Sequence, residues 1–182
     1  MGNMERNNMR KNLESLYVLD NALTDPAKDY LRLVRKTESD TETRYVVDKG
    51  NGDTMDVVFT KDAIVIKGFD HENSLNQFAA ESWDQKIIDR MYEGMAPELI
   101  ELFSEEDRDY STFVIWYDGV QHQNSIEGND GGQWLLSYAD NTYEEFKVFV
   151  EGYYSRNFDN TLLKKLYENG SLSEDELSEL IR

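Results

Sequence analysis

Residues 43 to 69 constrain the fold more tightly than any other part of the chain. Three short apolar runs, TRYVVDK (43–49), TMDVVFT (54–60) and IVIKGF (64–69), are separated by GNGD (50–53) and KDA (61–63). The glycines of GNGD accept positive φ without steric cost, which suits a tight hairpin turn. Apolar runs of this length, at this spacing and with this turn chemistry, predict three consecutive antiparallel strands.

The rest of the chain is read against that meander. YSTFVIWY (110–117) is apolar on both faces and suits a central strand, with QWLLSYA (133–139) as its expected partner in the same sheet. The connection between them, 118–132, is long, polar and glycine-rich, and the stretch around Val120–Ile126 also reads as strand. Leu13, Leu16 and Tyr17 fall at helical spacing within 5–23, and Pro26 ends that element. DYLRLVRK (29–36) fits either helix or strand. Residues 74–103 read as helices, through Leu75, Phe78 and Ala79 and then Ile87, Ile88, Met91 and Tyr92, with Pro97 in the first turn of the last one. EEDRD (105–109) reads as a charged loop.

Beyond 140 the signals are helical. Thr142 is a good N-cap before the apolar stripe of Tyr143, Phe146, Phe149/Val150 and Tyr153. Residues 160–170 read as a short helix closed by Gly170, and Ser173 to Glu176 reads as a capping box. The expected class is α+β: a three-stranded meander plus a later strand pair in an antiparallel sheet, helices packed on it, and a helical C-terminus. A single domain, 1–182, is expected, with a helical or extended segment at 1–36 and a helical hairpin at 159–182.

Charge is the strongest global signal. The chain carries 37 acidic against 19 basic residues, a net charge of -18. Residues 1–36 hold seven Lys/Arg and five Asp/Glu, so the remainder holds 12 and 32. Such a field repels phosphate, which argues against direct nucleic-acid binding, and attracts a basic partner. No apolar stretch reaches membrane-spanning length, and the first residues lack the apolar region of a secretory signal; a cytoplasmic protein without membrane contact is expected. There is no cysteine, hence no disulfide, thiol nucleophile or thiolate-bound zinc.

The chemical motifs are sparse. Asp70-His71-Glu72 follows the third strand and contains one of the two histidines. If the strand continued, Asp70 and Glu72 would face one side and His71 the other, so the run by itself could not chelate one ion. The expectation is a strand end, with Gly68 allowing a bend, Asp70 capping the following backbone and His71 in a structural hydrogen bond; no metal and no cofactor are expected. A catalytic or metal site would need Asp118 or His122 in addition. Glu127 and Asp130 lie in a polar loop without calcium-loop spacing. The signatures GxSxG, HExxH and GxGxxG are absent. Candidate binding residues are therefore Asp70, His71, Glu72, Asp118, His122, Glu127 and Asp130, together with Glu105, Glu106 and Asp107 of the charged loop.

YVVDKGNGDTMDVVFTKDAIVIKGFDHE, TFVIWYD, DGGQWLLSY and YEEFKVFVEGYY together resemble a family of small, acidic, uncharacterised bacterial proteins with a G-F-D-H-E motif. The resemblance spans about residues 43 to 181 and departs from the family pattern at Asn73, where Ser is usual, and at Tyr117, where Arg is usual. It implies an α+β fold and carries no catalytic assignment to transfer. It is similar in kind to immunity proteins that accompany secreted toxins.

These observations favour a non-enzymatic acidic binding protein for a basic protein partner, in concrete form an immunity protein that neutralises a basic toxin by occlusion. The rivals are a DNA mimic that blocks a nucleic-acid-binding enzyme, an enzyme using Asp70, His71, Glu72 and His122, and a housekeeping protein. The sequence carries no signal for an oligomeric state.

Overall fold

A computed structural model describes residues 3–124, 126 and 128–182. The chain forms two compact units. Among the described residues, one is Arg35–Leu135; the other joins 3–34 with Leu136–Arg182.

The first unit is built on one open antiparallel sheet whose strands lie in sequence order: β1 (Val34–Glu38), β2 (Glu42–Asp48), β3 (Thr54–Thr60), β4 (Ile64–Phe69), β5 (Phe113–Tyr117) and β6 (Gln121–Gln123). The expected meander is present as β2, β3 and β4, paired antiparallel from Glu42↔Thr60 onward. Gly50 and Gly52 take φ of 77° and 99° in the β2–β3 turn, which explains both glycines. β4 is buried at every position, so a central strand covered on both faces sits where the apolar runs are densest.

The expected strand pair is different. Residues 133–139 are not a strand: Gln133–Tyr138 is a 3-10 helix, and β5 pairs instead with β6 in the register Trp116↔His122. Gly131 and Gly132, at φ of 74° and 90°, turn the chain away from the sheet just before QWLLSYA. Leu135, Tyr138 and Ala139 are then buried at helical rather than alternating spacing. The ambiguous 29–36 divides: Pro26–Leu31 is a 3-10 helix and β1 begins at Val34.

The expected helix around 74–79 is also absent; it is a chain of turns. Asn73 Oδ1 accepts from the Leu75 N–H at 3.0 Å, and Asn76 Oδ1 from the Phe78 N–H at 3.0 Å. Asparagine side chains thereby take the donors a helix needs. Helices start only at α2 (Gln85–Met91), capped by Asp84, and α3 (Pro97–Ile100). Residues 105–109 are not a loop but a short helix, α4 (Glu105–Asp109), started by a Ser104/Asp107 capping box. Ile88, Met91, Leu99 and Phe103 pack on Val58, Val65, Val114 and Trp116 of the sheet. On that face Lys67, 4% exposed, pairs with Asp56 directly across the strands at 2.9 Å and donates to the Asp107 and Tyr110 carbonyls. The Lys67 ammonium thus has three oxygen partners, as a buried charge needs.

The second unit is helical: α1 (Asn3–Leu23), α5 (Tyr143–Tyr153), α6 (Asn160–Asn169) and α7 (Glu174–Leu180). The capping signals hold, with reciprocal boxes at Thr142/Glu145 and Ser173/Glu176 and a left-handed Gly170 after α6. Leu13 and Leu16 of α1, Phe146 and Val150 of α5, and Leu163 and Leu166 of α6 are buried. Buried Asp20 accepts from the Tyr154 hydroxyl at 2.7 Å and the Val34 N–H at 3.1 Å. Burial beside that carboxylate pushes the Tyr154 phenol strongly up. None of the described helices is long and apolar enough to cross a membrane.

Candidate functional site

The antiparallel order gives the sheet two ends, and each gathers residues far apart in sequence. At one end lie the β2–β3 turn, the exit of β4 and the entry to β5. β4 stops at Phe69, so the alternation that would split Asp70, His71 and Glu72 does not apply. Asp70 does cap the backbone, its Oδ1 accepting from the Glu72 N–H at 3.1 Å, and its Oδ2 accepts from Trp134 Nε1 at 3.0 Å. Gly68 makes no bend. It sits in regular register between Met55 and Phe113, and a Cβ there would lie 2.0 Å from the Phe113 ring. Close approach, not flexibility, requires the glycine.

Thr112 ties three strands of chain together at this end. Its hydroxyl donates to the Gly131 carbonyl at 2.6 Å and accepts from the Asp70 N–H at 2.9 Å. Asn129 joins the same knot, accepting from Asn73 at 3.2 Å and donating to Ser74 at 2.9 Å. Gly131 and Gly132 admit the approach: a Cβ on them would lie 2.0 Å from the Thr112 carbonyl oxygen and 2.5 Å from Asp70 Cβ.

His71 closes the knot onto the β2–β3 turn. Its Nδ1 lies 2.8 Å from Asp53 Oδ1, and its backbone N–H donates to the same oxygen at 3.0 Å. The structural hydrogen bond expected of His71 is therefore present, with a partner not foreseen. Asp53 is only 5% exposed, and its Oδ2 accepts from Asn51. The Asp53 bond raises the pKa of His71 above its ordinary 6.5. Burial works to raise that of Asp53, but the His71 and Asn51 hydrogen bonds outweigh it and hold the carboxyl below its usual range.

Ligand-capable atoms of Asp53, Asp70 and His71 lie within 4.8 Å of one another. Their chemistry, two carboxylates and an imidazole, is that of a divalent-cation site or an Asp–His dyad. Yet the Asp53 and Asp70 oxygens already accept from protein donors, and a cation coordinated by Nδ1 would have to displace the Asp53–His71 bond.

The opposite end is open. The β1–β2, β3–β4 and β5–β6 turns meet α3 around a groove of about 530 Å³. Five carboxylates line it, Asp40, Glu42, Asp62, Glu98 and Asp118, and Lys61 is the one cation among its described lining residues. Ala63, Ala96, Leu99 and Leu102 give it an apolar floor.

The candidate residues are thus dispersed. Asp70, His71 and Glu72 stand at the knotted end. Asp118 and His122 stand at the other, about 20 Å away along a strand of six residues. His122 pairs with Asp118 at 2.8 Å and stacks on Trp116 with centroids 5.0 Å apart. The two histidines do not meet. Glu105, Glu106 and Asp107 form the first turn of α4, where the Ser104 hydroxyl holds the Asp107 carboxyl below its usual range. Asp130 accepts from the Gly132 N–H at 2.9 Å, and Glu127 lies outside the described residues.

Sequence reading missed Asp53, Thr112, Asn129 and Trp134 at the knot and Asp40, Glu42, Asp62 and Glu98 at the groove. For one of the groove acids a partial signal existed: Asp62 sits in the turn between two of the expected strands. For Thr112 and Asn129 there was none. Comparison of the chain with known proteins finds no matching family model, no matching curated protein and no matching solved structure.

Proposed function

We propose that this chain is a non-enzymatic binding protein of the bacterial cytoplasm whose acidic sheet end receives a basic protein partner, in concrete form an immunity protein that occludes a basic toxin. The observation that carries the reading is the groove lined by five carboxylates and, among its described residues, a single cation, Lys61, with an apolar floor. Carboxylates on exposed turns steer a cationic surface into encounter, and their pairing with Lys or Arg offsets the desolvation on contact. The apolar floor suits the aliphatic stem of such a side chain. It also favours this reading over a DNA mimic, for which a uniformly polar face would serve.

The test is parallel affinity capture from bacterial extract with the wild-type chain and an Asp62→Lys/Glu98→Lys variant. Stopped-flow association of the captured protein follows. The expected partner is basic, is lost with the variant, and associates more slowly as salt rises from about 50 to 500 mM, because screening shortens the reach of the acidic field. Retention by the variant, or a rate flat with salt, overturns the reading.

A further inference from the structure

Apart from the knot and the groove, three aromatic side chains stand together in solvent. Phe78, Trp83 and Tyr110 are 52%, 42% and 43% exposed. Phe78 stacks on Tyr110 with centroids 4.4 Å apart, and Trp83 meets Phe78 edge-on at 5.2 Å. Buried Phe69, the last residue of β4, meets Phe78 and Tyr110 edge-on at 6.2 and 5.4 Å. Buried Gln77 fixes the backbone that carries the first two, donating to the Leu75 carbonyl and accepting from the Asp84 N–H at 2.9 Å. The ledge is therefore stiff, and stiff exposed Trp and Tyr are the residues of interface hot spots.

A cavity of about 500 Å³ lies between α2 and α4; the three rings do not line it, but residues bonded or adjacent to them do. Trp83 Nε1 donates to Gln85 at 2.9 Å, Gln85 donates to Asp89 at 3.2 Å, and both residues line the cavity. On the other side Tyr110 follows Asp109, which also lines it. Glu105 adds a third carboxylate; the Arg108 guanidinium is engaged by the Phe103 carbonyl at 3.0 Å and by Glu105 at 4.0 Å.

We propose that the Phe78–Trp83–Tyr110 ledge and its carboxylate-lined cavity seat an arginine side chain of the partner, an inference that rests on the basic-partner reading above. A planar guanidinium stacks on aromatic faces while its edge donates to carboxylates; an ammonium, more strongly hydrated, gains less from the rings. A wholly apolar anchor would leave the carboxylates desolvated and unpaired. A second copy of this chain would bring a net charge of -18 against -18.

The test is a titration of the ¹⁵N-labelled full chain with the capped tetrapeptide Ala-Arg-Arg-Ala, and with its lysine and citrulline counterparts, read at the indole N–H signals. Trp83→Phe assigns the signal. The arginine peptide is expected to shift it saturably, the lysine peptide to bind about three- to tenfold more weakly, and the neutral citrulline peptide to leave it unmoved. Tyr110→Leu should abolish the shift while keeping the Tyr110 carbonyl that accepts from Lys67. Equal response to lysine or citrulline, or a shift that survives Tyr110→Leu, overturns the ledge. If the arginine peptide instead perturbs Asp62 and Glu98 and leaves Trp83 unmoved, the ledge fails and the acidic-groove reading stands. No response to any peptide defeats the ledge, and the groove reading then stands or falls on its own salt series.

Discussion

At the β2–β3 end of the sheet, Asp53, Asp70, His71, Thr112 and Asn129 bind one another's loops, whereas at the β3–β4 end Asp40, Asp62 and Glu98 face solvent around a groove. The residues with the more suggestive chemistry are the ones engaged internally. An Asp–His–Glu run resembles an active site, but hydrogen bonding within the fold gives its Asp and His work as structural ties. Ordinary carboxylates, which no motif distinguishes, are the ones left exposed to solvent.

The sharpest way to break this contrast is Gly131→Ala. The residue needs positive φ, and a Cβ would lie 2.0 Å from the Thr112 carbonyl oxygen, a backbone atom held by strand entry. Urea denaturation should show a loss of about 3 kcal/mol. A loss under about 1 kcal/mol would mean the knot yields freely and does not hold the loops.

A smaller, pH-dependent effect sharpens the same end. His71 has its pKa raised above 6.5 in the fold, so its contribution is complete below that value and is lost as pH rises through the folded pKa. Asp53 has its pKa lowered below 3.8, so its contribution is present above that value and is lost as pH falls through the folded pKa. The pair should hold best between about pH 4 and 6.5. Denaturation midpoints of wild type and His71→Gln should converge above that window and differ within it. Parallel profiles from pH 5 to 9, about the range in which histidine titrates, would show that the bond does not tie the turn to the β4 exit.

The smallest expected change is at the open end. Asp62→Lys and Glu98→Lys lie on exposed positions and should each alter stability by no more than about 0.5 kcal/mol. A loss above about 1.5 kcal/mol would make the acidic end part of the framework and erase the distinction between the two ends.

The legible parts of the fold were those specified by neighbours in sequence. The GNGD turn places β2 against β3, because φ at Gly50 and Gly52 is a local property. Thr142, Ser173 and Gly170 mark helix ends, because capping bonds reach only about three residues along the chain. The misreadings had local causes too, but ones weaker than the pattern that hid them. Asn73 and Asn76 removed a helix that the spacing of Leu75, Phe78 and Ala79 suggested. Gly131 and Gly132 diverted QWLLSYA from the sheet.

The sequence by itself determined the meander, the helix caps, the α+β class and the excess of negative charge, because each rests on φ preference, periodicity or composition within a few residues. Only the tertiary structure decided that His71 answers to Asp53, that Asp70 answers to Trp134, and that Asp40, Asp62, Glu98 and Asp118 share one groove. Those pairs are separated by 18 and 64 residues, and the groove acids by up to 78 between Asp40 and Asp118. Hydrogen bonds act over about 3 Å in space. Strand order, which brings turns to one end or the other, is what converts distance along the chain into contact.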